Sequence, residues 1–347
     1  MMPSKPDKGG GSFSWSDRLR LPVIAAPMFT VSGPRLVAAA VRSGIVGAFP
    51  AINAGDAAGL ESWLDQIDDL IDGNRSAYDG ALCVNLVMRD PRTATHIEVL
   101  ARRPVDMVIT SVGAPEAAIQ ALAGSGTMIF ADVGSLHHAE KAIRAGVDGL
   151  VLLSAGAGGN SGWLNPFAFV RAVRSMFDGP IVLSGGMSDG HAIAAARVLD
   201  CDLVMAGTRF IAARESEASE AYRRMLVACT ADDIMTTRAF SGVAANMLRP
   251  SIEAVGLDPG TIAGAVLNAE DARHVYQKSQ QEGATRWRDI WSAGHSVSGV
   301  RAIASVAEIV AAMEAEYSAA LANMRERDIV SSVGRSAFRG GRFAQFA

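Results

Sequence analysis

Short runs of β-branched and apolar residues alternate along the chain with longer amphipathic stretches. The runs are Pro22–Met28, Ile45–Pro50, Ala81–Val87, Val105–Ser111, Thr127–Val133 and Val147–Ser154. Two more lie within Pro180–Phe210, reading PIVLSGG and CDLVMAGTRF around a helical segment from Asp189 to Leu199. Each run is apolar at nearly every position, as parallel strands covered on both faces should be. The intervening stretches repeat apolar residues at helical spacing, for example Leu60, Leu64, Ile67, Leu70 and Ile71 within Ala57–Ile71. Ser32-Gly33-Pro34 opens a helix to Arg42, with Ser32 as the N-cap and Pro34 in the first turn. Further helices are expected after Asp90-Pro91, after Pro115, through His138 to Ala145, and over Pro166–Met176. Right-handed crossovers make such a chain either a doubly wound sheet or a barrel. Eight strand–helix units favour closure, so the expected fold is α/β, a (β/α)₈ barrel of the TIM type.

The rhythm breaks at Glu215. Ser219–Cys229, Ile252–Leu267 and Asp271–Gln280 carry helical patterns and no clear strand. The expectation is a helical insertion over 215–290, after the eighth strand, covering the site. The barrel then comprises 21–214 and 291–327, with its last helix near Val300–Met324. Residues 1–20 read as a disordered lead-in and 328–347 as a flexible tail.

Composition supports this picture: 49% of the 347 residues are hydrophobic and 35 are Gly, which suits a close-packed α/β protein. A net charge of −4 provides no basic field for nucleic acid or an anionic membrane. No apolar run approaches the roughly 18 residues of a membrane span, and MMPSKPDKGGGSFSW has no signal-peptide core. Cys83, Cys201 and Cys229 are scattered, odd in number and without zinc spacing, so a reducing, cytoplasmic setting is expected. Cys83 and Cys201 read as buried thiols.

In such a barrel the chemistry lies at the C-terminal ends of the strands. There stand Ala26-Pro27-Met28, Asn53, Asn85, Asp132, the segment Ser154–Asn165, Ser184-Gly185-Gly186 and Gly207-Thr208. The two glycine-bearing ends fall in adjacent units and suit a phosphate cradle, although Ser184-Gly185-Gly186 could be a tight turn alone. Few acids or bases share these ends, which implies a cofactor bringing its own reactivity, and small apolar walls suit a flat ring. Asn85 could bond that ring or cap a loop. Asp132 could face the site or cap the following helix. His137-His138 read as solvated or packed, His191 as a helix-start surface residue rather than a ligand, and Trp63 and Trp287 as packing or interface residues. No G-x-G-x-x-G follows a strand in a dinucleotide-binding context.

The ordered motifs PVIAAPM, GVDGLVLLSAGAGGNSG, PIVLSGGMSDG, MAGTRFIAARES, TRAFSGVAANMLRP and IWSAG resemble the nitronate monooxygenase (2-nitropropane dioxygenase) family of FMN enzymes over roughly Leu21–Gly299. The flavin-dependent enoyl-ACP reductases are its relatives. The resemblance implies FMN at the strand ends. Ala26, Pro27 and Met28 match the flavin-contacting turn, Asn85 the residue beside the flavin, and Ala157 and Gly158 the backbone along the ring. Ser184, Gly185, Gly186, Gly207 and Thr208 match the FMN phosphate site.

Two positions depart from the family pattern. Asn160 stands where members carry a catalytic His in A-G-H or G-G-H, and an amide cannot accept a proton near neutrality. Ala131 or Asp132 replaces a Lys found after the fifth strand in some members, so a phosphate or flavin contact is lost or rearranged. A preformed nitronate needs no base, because it can pass an electron to the flavin directly, whose semiquinone then reacts with O₂. The resemblance therefore implies oxidation of alkyl nitronates with O₂, with nitronates preferred over neutral nitroalkanes. His295, after Trp291-Ser292-Ala293-Gly294, is a candidate replacement base or an ordinary loop residue. The alternatives are an NAD(P)H-dependent flavin reductase of enoyl thioesters or quinones, and a flavin- or phosphate-binding barrel without this chemistry. Two chains could pair as a homodimer through helices of the insertion.

Overall fold

The computed structural model describes residues 16–72, 80–240, 242–264 and 289–338. The Asp271–Gln280 segment, Trp287, residues 1–15 of the expected lead-in and residues 339–347 of the expected tail lie outside the described residues.

The strands in chain order are β1 (Val23–Ala25), β2 (Val46–Pro50), β3 (Ala81–Val87), β4 (Met107–Ser111), β5 (Met128–Val133), β6 (Gly149–Leu153), the short β7 (Gly159–Asn160), β8 (Ile181–Ser184), β9 (Leu203–Ala206), β10 (Ile234–Thr237) and β11 (Ala245–Leu248). Parallel pairing runs β1-β2-β3-β4-β5-β6-β8-β9 and closes where Ile24 of β1 meets Met205 of β9. These are the eight apolar runs of the sequence. Side chains alternate across the wall, so Ile24, Val46, Ala48, Cys83, Ile109, Phe130, Val151 and Val182 fill the interior. Val23, Ala25, Leu150 and Leu152 instead pack outward against helices. A Cβ on Gly149 would stand 2.2 Å from the Phe130 ring, so the glycine leaves room for the fully buried phenyl group. That ring plugs the barrel below the site. All three cysteines are buried and free.

The helices are α1 (Pro34–Arg42), α2 (Ala57–Asp72), α3 (Thr93–Arg102), α4 (Glu116–Ala121), α5 (Leu136–Ala145), α6 (Pro166–Arg174), α7 (Gly190–Val198), α8 (Thr208–Ile211), α9 (Glu220–Ala228), α10 (Arg249–Ala254), α11 (Pro259–Gly264) and α12 (Val306–Phe338). Trp63 on α2 lies 5.5 Å from Phe49, centroid to centroid, and so is a packing residue.

Three expectations change. Ser32 does not cap α1, whose N-cap is Gly33 without a side-chain bond. The segment after β9 is not wholly helical, because β10 and β11 form an antiparallel sheet with β7 in the order β10-β11-β7. Runs of four residues are too short to show a period. The last helix starts at Val306 and continues to Phe338, well into the stretch expected to be flexible.

The α7–α12 contact depends on one glycine. A Cβ on Gly190 would lie 2.1 Å from the Tyr317 backbone nitrogen and 2.3 Å from the Met313 carbonyl oxygen. Backbone cannot give way as a side chain can, so Gly190→Ala should destabilise the fold by about 1–3 kcal/mol. Thermal unfolding followed by circular dichroism should show a lower Tm, and an unchanged Tm would rule out this packing constraint.

Candidate active site

At the C-terminal mouth of the barrel, the turn after β1 is held by side chains rather than by helix geometry. The Ser32 hydroxyl donates to the Ala26 carbonyl at 3.0 Å and accepts from the Met28 N–H at 3.0 Å. Asn53 donates to the carbonyls of Met28 and Ser32, each at 3.0 Å, and accepts from the Thr30 N–H at 3.1 Å. Asn53 thus builds the turn that carries Ala26, Pro27 and Met28 and does not itself line the cavity.

Asn85 lies on the interior face near the C-terminal end of β3. Its amide donates to the Ile109 carbonyl at 3.0 Å and the Ser111 hydroxyl at 3.1 Å, leaving Oδ1 able to accept. After β8, Gly185 sits at φ +116° and Gly186 at φ +79°, conformations that favour glycine. A Cβ on Gly185 would approach the Ser154 hydroxyl to 2.5 Å, whereas nothing lies within 4 Å of one on Gly186. Ser154 Oγ in turn donates to the Ser184 carbonyl at 2.7 Å and ties the ends of β6 and β8 together. In the next unit the buried Thr208 hydroxyl accepts from the Gly294 N–H at 2.9 Å. Its own proton remains available to a ligand.

Asp132 projects into the barrel from β5, paired in register with Val151. Among the described residues it has no hydrogen-bond partner, and burial pushes its carboxyl up to about 7. It does not cap α5, because Ser135 does so by accepting from the His138 N–H.

These elements enclose a cavity of about 450 Å³, within the range of cofactor sites. Its walls include Ala26, Pro27, Met28, Asn85 and Asp132 from the early units. The later units add Ala157, Gly158, Asn160, Ser184, Gly185, Gly186, Gly207 and Thr208. Asn160 is exposed and lies in a strand, since β7 pairs with β11 at Asn160–Ala245. Asn246 of β11 also donates to the Ala157 carbonyl at 2.7 Å. His295 is exposed and does not line this cavity. Its backbone N–H donates to the Gly156 carbonyl at 2.9 Å, and its imidazole lies against Gly156 from the adjoining cavity described below. His191 is exposed at the start of α7 and lines neither cavity.

The insertion supplies a wall that single-residue reasoning missed. Tyr222 of α9 stacks on Trp291 at 5.0 Å and 12°, and its hydroxyl donates to the Ser292 carbonyl. Both aromatics line the cavity. Burial pushes the Tyr222 hydroxyl far above its ordinary value, so it stays protonated. The IWSAG motif contains Trp291, whereas Tyr222 lies in the Ser219–Cys229 helical stretch, where nothing marked it. Among the described residues there is no His, Cys, Asp and Glu cluster able to hold a metal, and no helix long and apolar enough to cross a membrane.

A second, larger cavity of about 1310 Å³ adjoins the first, and Val112, Asp132, Leu153, Gly156 and Asn160 border both. His138 borders it and is exposed to solvent, as expected.

Comparisons with known proteins agree with this geometry. The nitronate monooxygenase family model matches residues 60–316. A nitronate monooxygenase of Paraburkholderia phytofirmans is 27% identical, covering 88% of this chain and 94% of its own. The (3aS,4S,5R,7aS)-5-hydroxy-7a-methyl-1-oxo-octahydro-1H-indene-4-carboxyl-CoA dehydrogenase of Rhodococcus jostii is 25% identical, covering 72% of this chain and 69% of its own. Among solved structures, FabK from Thermotoga maritima superposes with a TM-score of 0.76 at 23% identity, covering 91% of this chain and 99% of that one. Nitroalkane oxidase from Streptomyces ansochromogenes gives 0.74 at 23%, covering 89% and 99%. The two structural likenesses bear on the fold alone. The family match, which spans most of the barrel, bears on the class of enzyme: the chain belongs to the nitronate monooxygenase family, and with it to the flavin-dependent oxidoreductases.

Proposed function

We propose that the protein is an FMN-dependent oxidoreductase that oxidises alkyl nitronates with O₂. The observation that carries the reading is Asn160. It stands exposed at the edge of the cavity, where it offers amide donors in place of a base. The fit to FMN rests on the cradle at Gly186, where open space stands in place of a Cβ, and on the free acceptor of Asn85 in the same cavity.

FMN, when bound, supplies the electron acceptor and the reaction with O₂. The residues then divide the remaining work. Ser184, Gly185, Gly186, Gly207 and Thr208 would hold the phosphate through backbone N–H groups and a hydroxyl, since among the described residues no Lys or Arg lines this cavity. Asn85 Oδ1 would be the acceptor for a donor on the ring. Ala26, Pro27, Met28, Ala157 and Gly158 flank the ring with small or apolar groups. Asn160 donates to a nitronate oxygen. Asp132 is protonated below about 7 and can donate beside it. The stacked Tyr222 and Trp291 keep water from that side.

The test is direct. Purified protein should be yellow, and oxygen uptake should be faster with a preformed nitronate than with the neutral nitroalkane from which it derives. A colourless protein that takes up no added FMN sinks the reading, as does equal turnover of both substrate forms near pH 6. Asn160→His introduces a group that titrates near neutrality, so it should raise nitroalkane turnover severalfold relative to nitronate turnover. An unchanged ratio would show that the vacancy at this position does not limit proton abstraction. The second reading, reduction of enoyl thioesters or quinones by NAD(P)H, draws support from the size of the adjoining cavity. Anaerobic bleaching of the flavin by NADPH separates it from the first.

A further inference from the structure

The adjoining cavity is nearly three times the volume of the flavin-sized one, about 1310 against 450 Å³. A nitronate of a few heavy atoms needs little of that space. Its walls also differ in charge. Arg89, Lys141, Arg144 and Arg238 line it, against the carboxylates of Glu116 and Asp132 only. Arg144 has a loose partner, Glu140, at 3.8 Å. Among the described residues Arg89, Lys141 and Arg238 have none. Four cations facing one space in a protein of net charge −4 make a local field for a polyanion.

The helix behind them is shaped to leave room. His138, Lys141, Ala142 and Ala145 all line the cavity and lie on one face of α5, so its small residues open space beside its cations. Trp163 on the same cavity is 80% exposed, a flat indole with no covering residue. The end of the cavity that borders Asp132 and Asn160 opens on the flavin side.

We infer that this cavity binds the nucleotide handle of a coenzyme A thioester. The phosphates would take Arg89, Lys141, Arg144 and Arg238, and the adenine would stack on Trp163. CoA carries about four negative charges near neutrality, one per cation of the wall. Its long, thin arm suits an open basic cleft, with exposed cations, that shares Asp132 and Asn160 with the flavin-sized cavity. NADPH shares the adenosine phosphates and is the competing occupant that the titration distinguishes. The inference rests on the FMN reading only for what the far end of the arm reaches.

The holoprotein is titrated with CoA, 3′-dephospho-CoA, NADPH and NADH, followed by tryptophan fluorescence and by calorimetry. CoA should bind saturably and quench fluorescence, dephospho-CoA should bind several-fold more weakly, and Trp163→Phe should remove the quench. The triple variant Arg89→Ala, Lys141→Ala, Arg238→Ala should weaken CoA about 30-fold and flatten its salt dependence. Its flavin absorbance reports that it is folded. The inference is overturned if CoA does not saturate at millimolar concentration, if the triple variant binds CoA as tightly as the parent, or if NADPH binds and CoA does not. Calorimetry with CoA reads this cavity even if the protein holds no flavin, so the two readings fail separately.

Discussion

Oxidation of a nitronate should lose efficiency as the pH rises through about 7, and Asp132→Asn should abolish that loss. Among the described residues Asp132 is the only carboxyl lining the flavin-sized cavity, and burial pushes it up to about 7. The sign follows from which form is neutral. Below that value the carboxyl is protonated, leaves the cavity uncharged and can donate to an anionic substrate. Above it, the carboxylate repels the nitronate in a cavity that no cation lines among the described residues, the cations of the adjoining cavity being exposed to solvent. With an ionisation near 7, kcat/KM should fall by about tenfold from its plateau at one pH unit above. Neutral nitroalkanes should show the opposite slope, because the same carboxylate is then the available base. Oxygen uptake between about pH 6 and pH 8.5, with both substrate forms and both proteins, decides the matter. A nitronate profile that Asp132→Asn leaves unaltered removes this residue from the mechanism.

The second large effect is expected at Gly185. Its φ of +116° lies where side chains are strained, and a Cβ would stand 2.5 Å from the Ser154 hydroxyl and 3.2 Å from the Ala155 carbonyl oxygen. Alanine must therefore displace either its own loop or the bond from Ser154 to the Ser184 carbonyl. Strain of about 1–3 kcal/mol at the cradle corresponds to roughly 5- to 150-fold weaker FMN binding. Gly185→Ala should purify with much of its colour lost while far-ultraviolet circular dichroism stays that of a folded barrel. Equal flavin content and affinity in the variant would contradict the placement of the phosphate here.

The barrel was legible because its signal is repeated. Eight apolar runs and the helical stretches between them reinforce one another, and each strand core fell inside its expected run. The end at Ser184-Gly185-Gly186 was legible because the backbone there takes positive φ at two successive residues, which only glycine adopts freely. What could not be read were interactions between residues distant in sequence. Ser32 looks like a helix cap by its neighbours, yet its hydroxyl is engaged by Ala26 and Met28. Asn160 looks like a loop residue because its partner, Ala245, lies far along the chain in a four-residue strand. Asp132 has an ordinary carboxylate sequence context, and its raised ionisation comes from a barrel interior that exists only after closure.

The pairing of β7 with β11 has a consequence for how the protein can be altered. The strand that carries Asn160 is hydrogen-bonded to the insertion, and Asn246 secures the neighbouring Ala157 carbonyl at 2.7 Å. Displacing that part of the insertion therefore displaces Asn160 with it. Substrate range and reactivity are not separate modules here. Loop grafting between relatives that exchanges only the insertion should alter both together, and recombination points would have to fall outside the span from β7 to β11 to preserve either.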